Sequence, residues 1–249
     1  MISKLILFSL AATSAFFNPS VRLSNGKTAT LNGNGPPVLF STGLFGTMPS
    51  QFYNEVINKL RKNITVVTID GILPITPKDV VELTDALKVD RISYVSHSSF
   101  NSGILETGKL NSAVLLDPIV IPQFNINGFN TESVDVDYPV LVIKSEKLYQ
   151  SKLDLPSWQE LEINGNVNNE IYDDVGHPDI LDDMWANVAK STQLWGTAQG
   201  DIMPFNQWKF DNTNTIPKIR REYREYVSKK ILQHVNNCLN EMSSEIIPI

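Results

Sequence analysis

Cysteine and histidine are scarce in this chain: one cysteine and three histidines in 249 residues. A lone Cys238 excludes an internal disulfide and a thiolate metal site built from this chain alone. Three histidines, one of them (His97) beside a serine, are too few for a structural zinc cluster, so neither metal nor another cofactor is expected. Cys238 sits among Ile231, Leu232, Val235, Leu239 and Met242 at helical spacing and reads as a small helix residue packed near the core. Basic charge is also short, with 21 Lys and Arg against 27 Asp and Glu and a net charge of −6. Without a basic stripe there is no phosphate-neutralising surface, and nucleic acid is excluded as a partner. Long apolar runs are missing too. The run from Leu5 to Ala12 falls well short of the ~20 residues that cross a bilayer, and no later segment approaches that length.

What is present fits one globular domain. Apolar residues make up 42% and charged residues 19%, ordinary values for a packed protein, and a chain of this length can bury a single large core. The N-terminus reads as an address. Residues 1–15 combine a basic start, a short apolar stretch and the small residues Thr13-Ser14-Ala15, which together make a signal peptide. Residues 16–35 follow with hydroxyls, Arg22 and Lys27 but no acid before Glu55, the composition of a transit peptide. Two other readings stand beside this: plain secretion, or a β-hairpin of the mature fold turning at Asn25-Gly26. The catalytic domain is placed at 36–249.

From Pro36 onward strand-like and helix-like segments alternate, the mark of an α/β fold with a mostly parallel central sheet and helices on both faces. Strands are predicted at Val38–Ser41, Asn63–Ile69, Ile92–Val95, Ala113–Leu116, Pro139–Ile143 and Glu170–Tyr172. A helix is predicted over Ser50–Lys62, with Phe52, Val56, Ile57 and Leu60 on one side. Thr76-Pro77-Lys78-Asp79 opens another, with a capping hydroxyl, a first-turn proline and an early acid. A short helical stretch is expected between Ser98 and Lys109, and residues 122–137 hold no clear element. The tail carries Trp195, Trp208 and a charged helix from about Pro217, read as a covering layer.

In open α/β sheets functional groups sit at the carboxyl ends of strands, and Ser98, Asp117 and His177 all follow such ends. Their chain order, serine, aspartate, histidine, is that of the α/β-hydrolases. A serine hydroxyl is a weak nucleophile at neutral pH, so it needs an imidazole to take its proton and a carboxylate to fix that imidazole's tautomer. His97 adjoins Ser98 and should point away from it, in a packing or elbow-supporting role. His234, beside Gln233 and Asn236, reads as solvent-facing, which leaves His177 as the base. Glu146 and Asp154 follow the next strand and compete with Asp117 for the acid. Asp173, Asp174, Asp179, Asp182 and Asp183 are read as capping and solvating the helix after His177. An oxyanion hole would use the backbone N–H of Ser99 and of Leu44, the latter in Thr42-Gly43-Leu44-Phe45-Gly46.

Glycine is missing where a nucleophile elbow normally has it: Ser96 and Phe100 stand two residues before and after Ser98. Ser96 is a small replacement. Phe100 must turn its ring out of the bend or shift the helix that follows.

Several segments together resemble the chlorophyllase family of α/β-hydrolases. These are Val38-Leu39-Phe40-Ser41-Thr42-Gly43 with Ser50-Gln51-Phe52-Tyr53, His97-Ser98, Leu116-Asp117-Pro118, Pro139–Ile143, and Gly176-His177-Pro178-Asp179-Ile180-Leu181-Asp182-Asp183. The last block looks like the family's catalytic-histidine segment. The resemblance implies a Ser98, Asp117, His177 triad that cleaves the phytyl ester of chlorophyll, a hydrophobic small-molecule ester as partner, and peripheral contact with thylakoid membrane. The join Ala12-Thr13-Ser14-Ala15-Phe16 resembles the alanine-phenylalanine junction of bipartite plastid presequences in diatoms and related algae, which implies a chloroplast location. A lipase or acyl esterase on plastid lipids, and an inactive pigment- or lipid-binding relative, are the competing readings.

Overall fold

The computed structural model describes residues 19–120, 133–147, 159–188 and 216–244. Eight strands form one sheet in the order β1-β2-β4-β3-β5-β6-β9-β12. They are β1 (Ser20–Arg22), β2 (Thr28–Asn32), β3 (Pro37–Ser41), β4 (Thr65–Asp70), β5 (Ile92–His97), β6 (Leu110–Leu116), β9 (Val140–Ser145) and β12 (Val167–Tyr172). All neighbours from β4 through β12 pair in parallel, and the N-terminal hairpin β1-β2 joins antiparallel onto β4. An eight-stranded, mostly parallel sheet with this crossover order and an antiparallel second strand is the α/β-hydrolase fold.

Period-2 alternation sends successive side chains to opposite faces of the sheet. Ile92, Tyr94, Ala113 and Leu115 point to the face covered by helix α3 (Pro77–Leu87). Val95, Val114, Leu116 and Ile143 point to the other face, covered by α2 (Asn54–Leu60) and a long C-terminal helix, α5 (Pro217–Ser244). The expected covering layer is therefore this last helix, whose Tyr223, Val227, Ile231 and Val235 are buried, with Cys238 in the same stripe. Trp195 and Trp208 lie outside the described residues. A one-turn helix, α1 (Gly43–Gly46), follows β3, and the described residues 183–188 are helical (α4).

Helix α3 starts as its capping signal requires. Asp79 N–H donates to Thr76 Oγ1 (3.3 Å), Thr76 N–H donates back to Asp79 Oδ2 (2.8 Å), and Pro77 occupies the first turn. Elsewhere the boundaries move. The stretch expected to be helical from Ser50 opens as a 3-10 turn, Ser50–Tyr53, before α2. The region 122–137 is not wholly irregular: β8 (Ser133–Asp135) pairs in parallel with β11 (Glu162–Asn164). Two further short strands, β7 (Ile119–Val120) and β10 (Gln159–Glu160), pair antiparallel.

The largest correction concerns the N-terminus. Residues 20–32 are not part of a detachable segment ending at 35, because they form β1 and β2 of the main sheet, turning at Asn25-Gly26 with Gly26 at φ 87°. Leu23 and Ala29 are buried in the core. The hairpin is fastened to α3 by a buried ion pair, Lys27 Nζ to Asp79 Oδ2 at 2.6 Å, and by Asn25 Nδ2 donating to Asp79 Oδ1. The hairpin alternative is the one observed, so the domain takes in the residues from 19 rather than from 36. Residues 1–18 lie outside the described residues.

Candidate active site

Strands β5 and β6 end side by side, with His97 paired to Leu116. The chain reverses immediately after each. Ser98 takes φ 64° and Asp117 φ 48°, both left-handed. Such a conformation costs about 1–2 kcal/mol for a residue with a Cβ, and here backbone hydrogen bonds hold it. Ser98 N–H donates to Leu116 O and Asp117 N–H to Ile143 O, each at 2.9 Å. The two bends lift Ser98 and Asp117 off the carboxyl edge of the sheet toward the loop after β12.

That loop delivers His177. Gly176 N–H donates to Asp179 Oδ2 (2.8 Å) and Asp179 N–H returns to Gly176 O (3.0 Å), closing the 3-10 turn His177–Ile180. Asp179 is fully buried and meets Arg220 Nε of α5 at 3.0 Å. Arg224, also buried, reaches Glu55 (2.7 Å), Asp183 (2.9 Å) and the Leu181 carbonyl (2.8 Å). Asp182 accepts from Glu55 N–H at 2.9 Å, and burial raises its carboxyl above the usual aspartate value. The acidic cluster is therefore divided: Asp173 and Asp174 are exposed as expected and Asp179 caps the turn at His177 as expected, but Asp179, Asp182 and Asp183 also tie the His177 loop to α2 and α5.

The three residues meet in series. Ser98 Oγ lies 2.8 Å from His177 Nε2, and His177 Nδ1 lies 3.1 Å from Asp117 Oδ2. All are buried, at 5%, 8% and 1% exposure respectively. Asp117 also accepts from Ser145 N–H (2.6 Å, on Oδ1) and from Ser145 Oγ (2.7 Å, on Oδ2). Three donors make this carboxylate a fixed acceptor, which sets the Nδ1–H tautomer of His177 and makes Nε2 the acceptor for Ser98. Glu146 is turned away, accepting from Asp174 N–H at 3.0 Å, and Asp154 lies outside the described residues. Of the two described candidates for the acid, Asp117 is the one in contact with His177.

His97 occupies the supporting place expected of it, and more tightly than its sequence context showed. Its Nδ1 is 2.7 Å from Tyr53 OH and its Nε2 is 3.2 Å from His177 O. The rings of His97 and His177 stack with centroids 4.5 Å apart. Burial, reinforced by the neighbouring His177 ring, holds the His97 pKa well below the ordinary histidine value, against the carbonyl bond that favours protonation. His97, Asp117 and His177 bring ligand-type atoms within 4.8 Å of one another. Both His97 nitrogens and the Asp117 carboxylate are already committed to hydrogen bonds. The arrangement is that of a hydrogen-bonded set, not a metal cradle.

Phe100 points its ring out of the bend and into the core. It is buried against Tyr94, with ring centroids 5.9 Å apart, in the core beneath α3. The helical stretch expected after Ser98 is a 3-10 turn, Ser102–Ile104, opened by Asn101 Oδ1 accepting from Gly103 N–H at 3.1 Å. Ser96 points to the same face as Tyr94. Burial pushes the Tyr94 phenol up to about 12, with the Ser41 and Ser96 hydroxyls acting in the opposite sense. Ser99 is fully buried directly after Ser98. Leu44 lies in α1, whose first turn closes by Gly46 N–H to Thr42 O (2.9 Å), so the Leu44 N–H precedes the first intrahelical bond. His234 departs from its expected exposure: it is half-buried, its Nε2 lies 3.3 Å from Pro139 O, and burial lowers its pKa.

Sequence reasoning did not reach Tyr53, Ser145, Arg220 and Arg224. Ser145 could have been found by register, because it ends the strand next to β6, two residues beyond Ile143, the partner of Leu116. The two arginines carry no local signal.

No protein-family model and no curated protein matches the chain. Solved structures do. A mutant epoxide hydrolase from Vigna radiata matches with 12% identity and a TM-score of 0.48, over 88% of this chain and 98% of its own. Naproxen esterase from Bacillus subtilis matches with 12% identity and a TM-score of 0.45, over 72% and 90%. An α/β-hydrolase from Sphaerobacter thermophilus matches with 14% identity and a TM-score of 0.40, over 61% and 91%. In an epoxide hydrolase from an endophytic Streptomyces the match spans 36% of that protein's length.

Proposed function

We propose that this chain is a serine ester hydrolase in which Ser98 attacks, His177 is general base and then general acid, and Asp117 orients His177. The observation that carries this reading is the unbroken series Ser98 Oγ, His177 Nε2, His177 Nδ1, Asp117 Oδ2, with contacts of 2.8 and 3.1 Å. Attack of Ser98 Oγ on an ester carbonyl passes the hydroxyl proton to His177 Nε2 and forms a tetrahedral oxyanion. The backbone N–H groups of Leu44 and Ser99 are assigned to that oxyanion, and losing one such donor typically costs about 10²–10³ in rate. Collapse breaks the ester C–O bond, and the alcohol leaves with the proton from His177. Water, deprotonated by His177, then attacks the acyl-enzyme and restores Ser98.

For substrate we propose a hydrophobic ester of the phytyl-chlorophyll kind, supported by the Gly176–Asp183 block and the other segments that resemble chlorophyllases. A plastid location is proposed on the Ala12–Phe16 join, any cleaved segment ending before β1. Sequencing the N-terminus of the mature protein tests the location, and an intact Met1 contradicts it. Incubation of purified protein with chlorophyll and with a short-chain nitrophenyl ester tests the substrate. Release of chlorophyllide and phytol is the expected result. Turnover of the nitrophenyl ester with no chlorophyllide would overturn the pigment reading while leaving the hydrolase reading in place.

A further inference from the structure

We propose that Tyr53 and His97 form a positioning relay that locks the loop carrying Leu44 to the backbone of His177, so that the oxyanion donors and the base are placed together. The proposal deepens the ester-hydrolase reading and rests on it.

The direction of every bond in the relay follows from chemistry. The His177 carbonyl can only accept, so His97 Nε2, 3.2 Å away, carries the proton. His97 is buried and held neutral, so its Nδ1 is a lone-pair acceptor. Tyr53 OH, 2.7 Å from Nδ1, must therefore donate to it. The Tyr53 oxygen in turn accepts from Gly43 N–H at 2.9 Å. One chain thus runs from Gly43 N–H through Tyr53 and His97 to His177 O, with each donor and acceptor used. Its first link spends the Gly43 N–H on Tyr53 and leaves the next one, Leu44, as the loop's candidate for the oxyanion.

The surroundings make the relay rigid. Tyr53 and His97 are buried, their rings in edge contact at 5.6 Å between centroids, and burial raises the Tyr53 phenol far above its ordinary pKa. Gly43 fits because it has no side chain: a Cβ there would lie 2.8 Å from Met48 Sδ, 3.2 Å from Tyr53 OH and 3.4 Å from His97 Nδ1. In the reaction proposed above Tyr53 and His97 transfer no proton and act through His177, whose ring His97 stacks on and whose carbonyl it bonds, which makes them positioning residues.

The test uses full-chain protein, a short-chain nitrophenyl ester, and a fluorophosphonate to titrate competent sites. Tyr53→Phe removes the central hydroxyl, and His97→Gln keeps a donor toward His177 but loses the Tyr53 link. Each is expected to lower kcat per titrated site by roughly tenfold or more, the size of one well-placed hydrogen bond, with KM within about twofold. Because either change cuts the same chain, the double variant should fall no further than the lower single one. Single variants with wild-type kcat, losses confined to KM, or losses that multiply in the double variant would overturn the relay. His97→Asn, which keeps an acceptor for Tyr53 but no donor for His177, cuts the chain elsewhere if Tyr53→Phe fails to fold. The same loss is expected of it, and wild-type kcat would overturn the proposal. A wild-type protein that neither labels nor turns over would instead sink the ester-hydrolase reading, and the relay with it.

Discussion

Ser98 holds φ at 64° although neither flanking glycine of a typical elbow is present. The strain is met by its N–H bond to Leu116 O and by the packing of the residues that replace the glycines. Ser96 is small enough to lie beside Tyr94, and Phe100 fills the core under α3 instead of crowding the bend. Phe100→Ala is therefore expected to cost about 3–5 kcal/mol in urea unfolding, the usual loss for a buried phenylalanine. Unchanged stability would show that the ring is not a core residue. Ser145→Ala removes one of the three donors on Asp117, and kcat/KM should fall by roughly tenfold, about 1.4 kcal/mol, with the fold intact. An unchanged value would mean that Asp117 is held without it. Ser98, Asp117 and His177 were legible in the sequence because each follows a strand end in a fixed chain order. Tyr53 and Ser145 were not, since their value comes from register with strands distant in sequence.

The start of helix α3 was legible to the residue because its capping box is a local signal. The hairpin β1-β2 was harder to read: its acid-poor composition is also that of a transit peptide, and only pairing to β4 and the Lys27–Asp79 contact distinguish the two. That contact gives a test. Burial alone would raise the Asp79 pKa, but the Lys27 bond and the Thr76 donors outweigh it and leave the pKa lowered. A lowered folded pKa gives stability that is present above the ordinary aspartate value of about 3.9 and lost as pH falls through the folded value. Lys27→Met leaves the Asp79 charge without its cation, an expected loss of about 3–5 kcal/mol at neutral pH. Thermal unfolding should show the gap narrowing as the pH falls toward 4, where Asp79 of the variant protonates. A gap that stays constant from pH 7 to 4 would remove the ion pair from the account. The short strands β7, β8, β10 and β11 escaped sequence reading because two or three residues carry no detectable period.

Across the whole molecule, one sheet edge gathers three residues that lie up to 79 positions apart in the chain, and α5 secures the third. Arg220 and Arg224 reach the His177 loop from a helix that begins 40 residues later, at Pro217. Such a long-range tether has no sequence period, so the helix was visible but its purpose was not. Reaction with a fluorophosphonate followed by peptide mass spectrometry tests the central claim most directly. The account predicts a single adduct, on Ser98, with the labelling rate reduced by roughly 10³ or more in His177→Ala. No adduct on the folded wild-type protein, an adduct on another serine, or undiminished labelling in His177→Ala would contradict it.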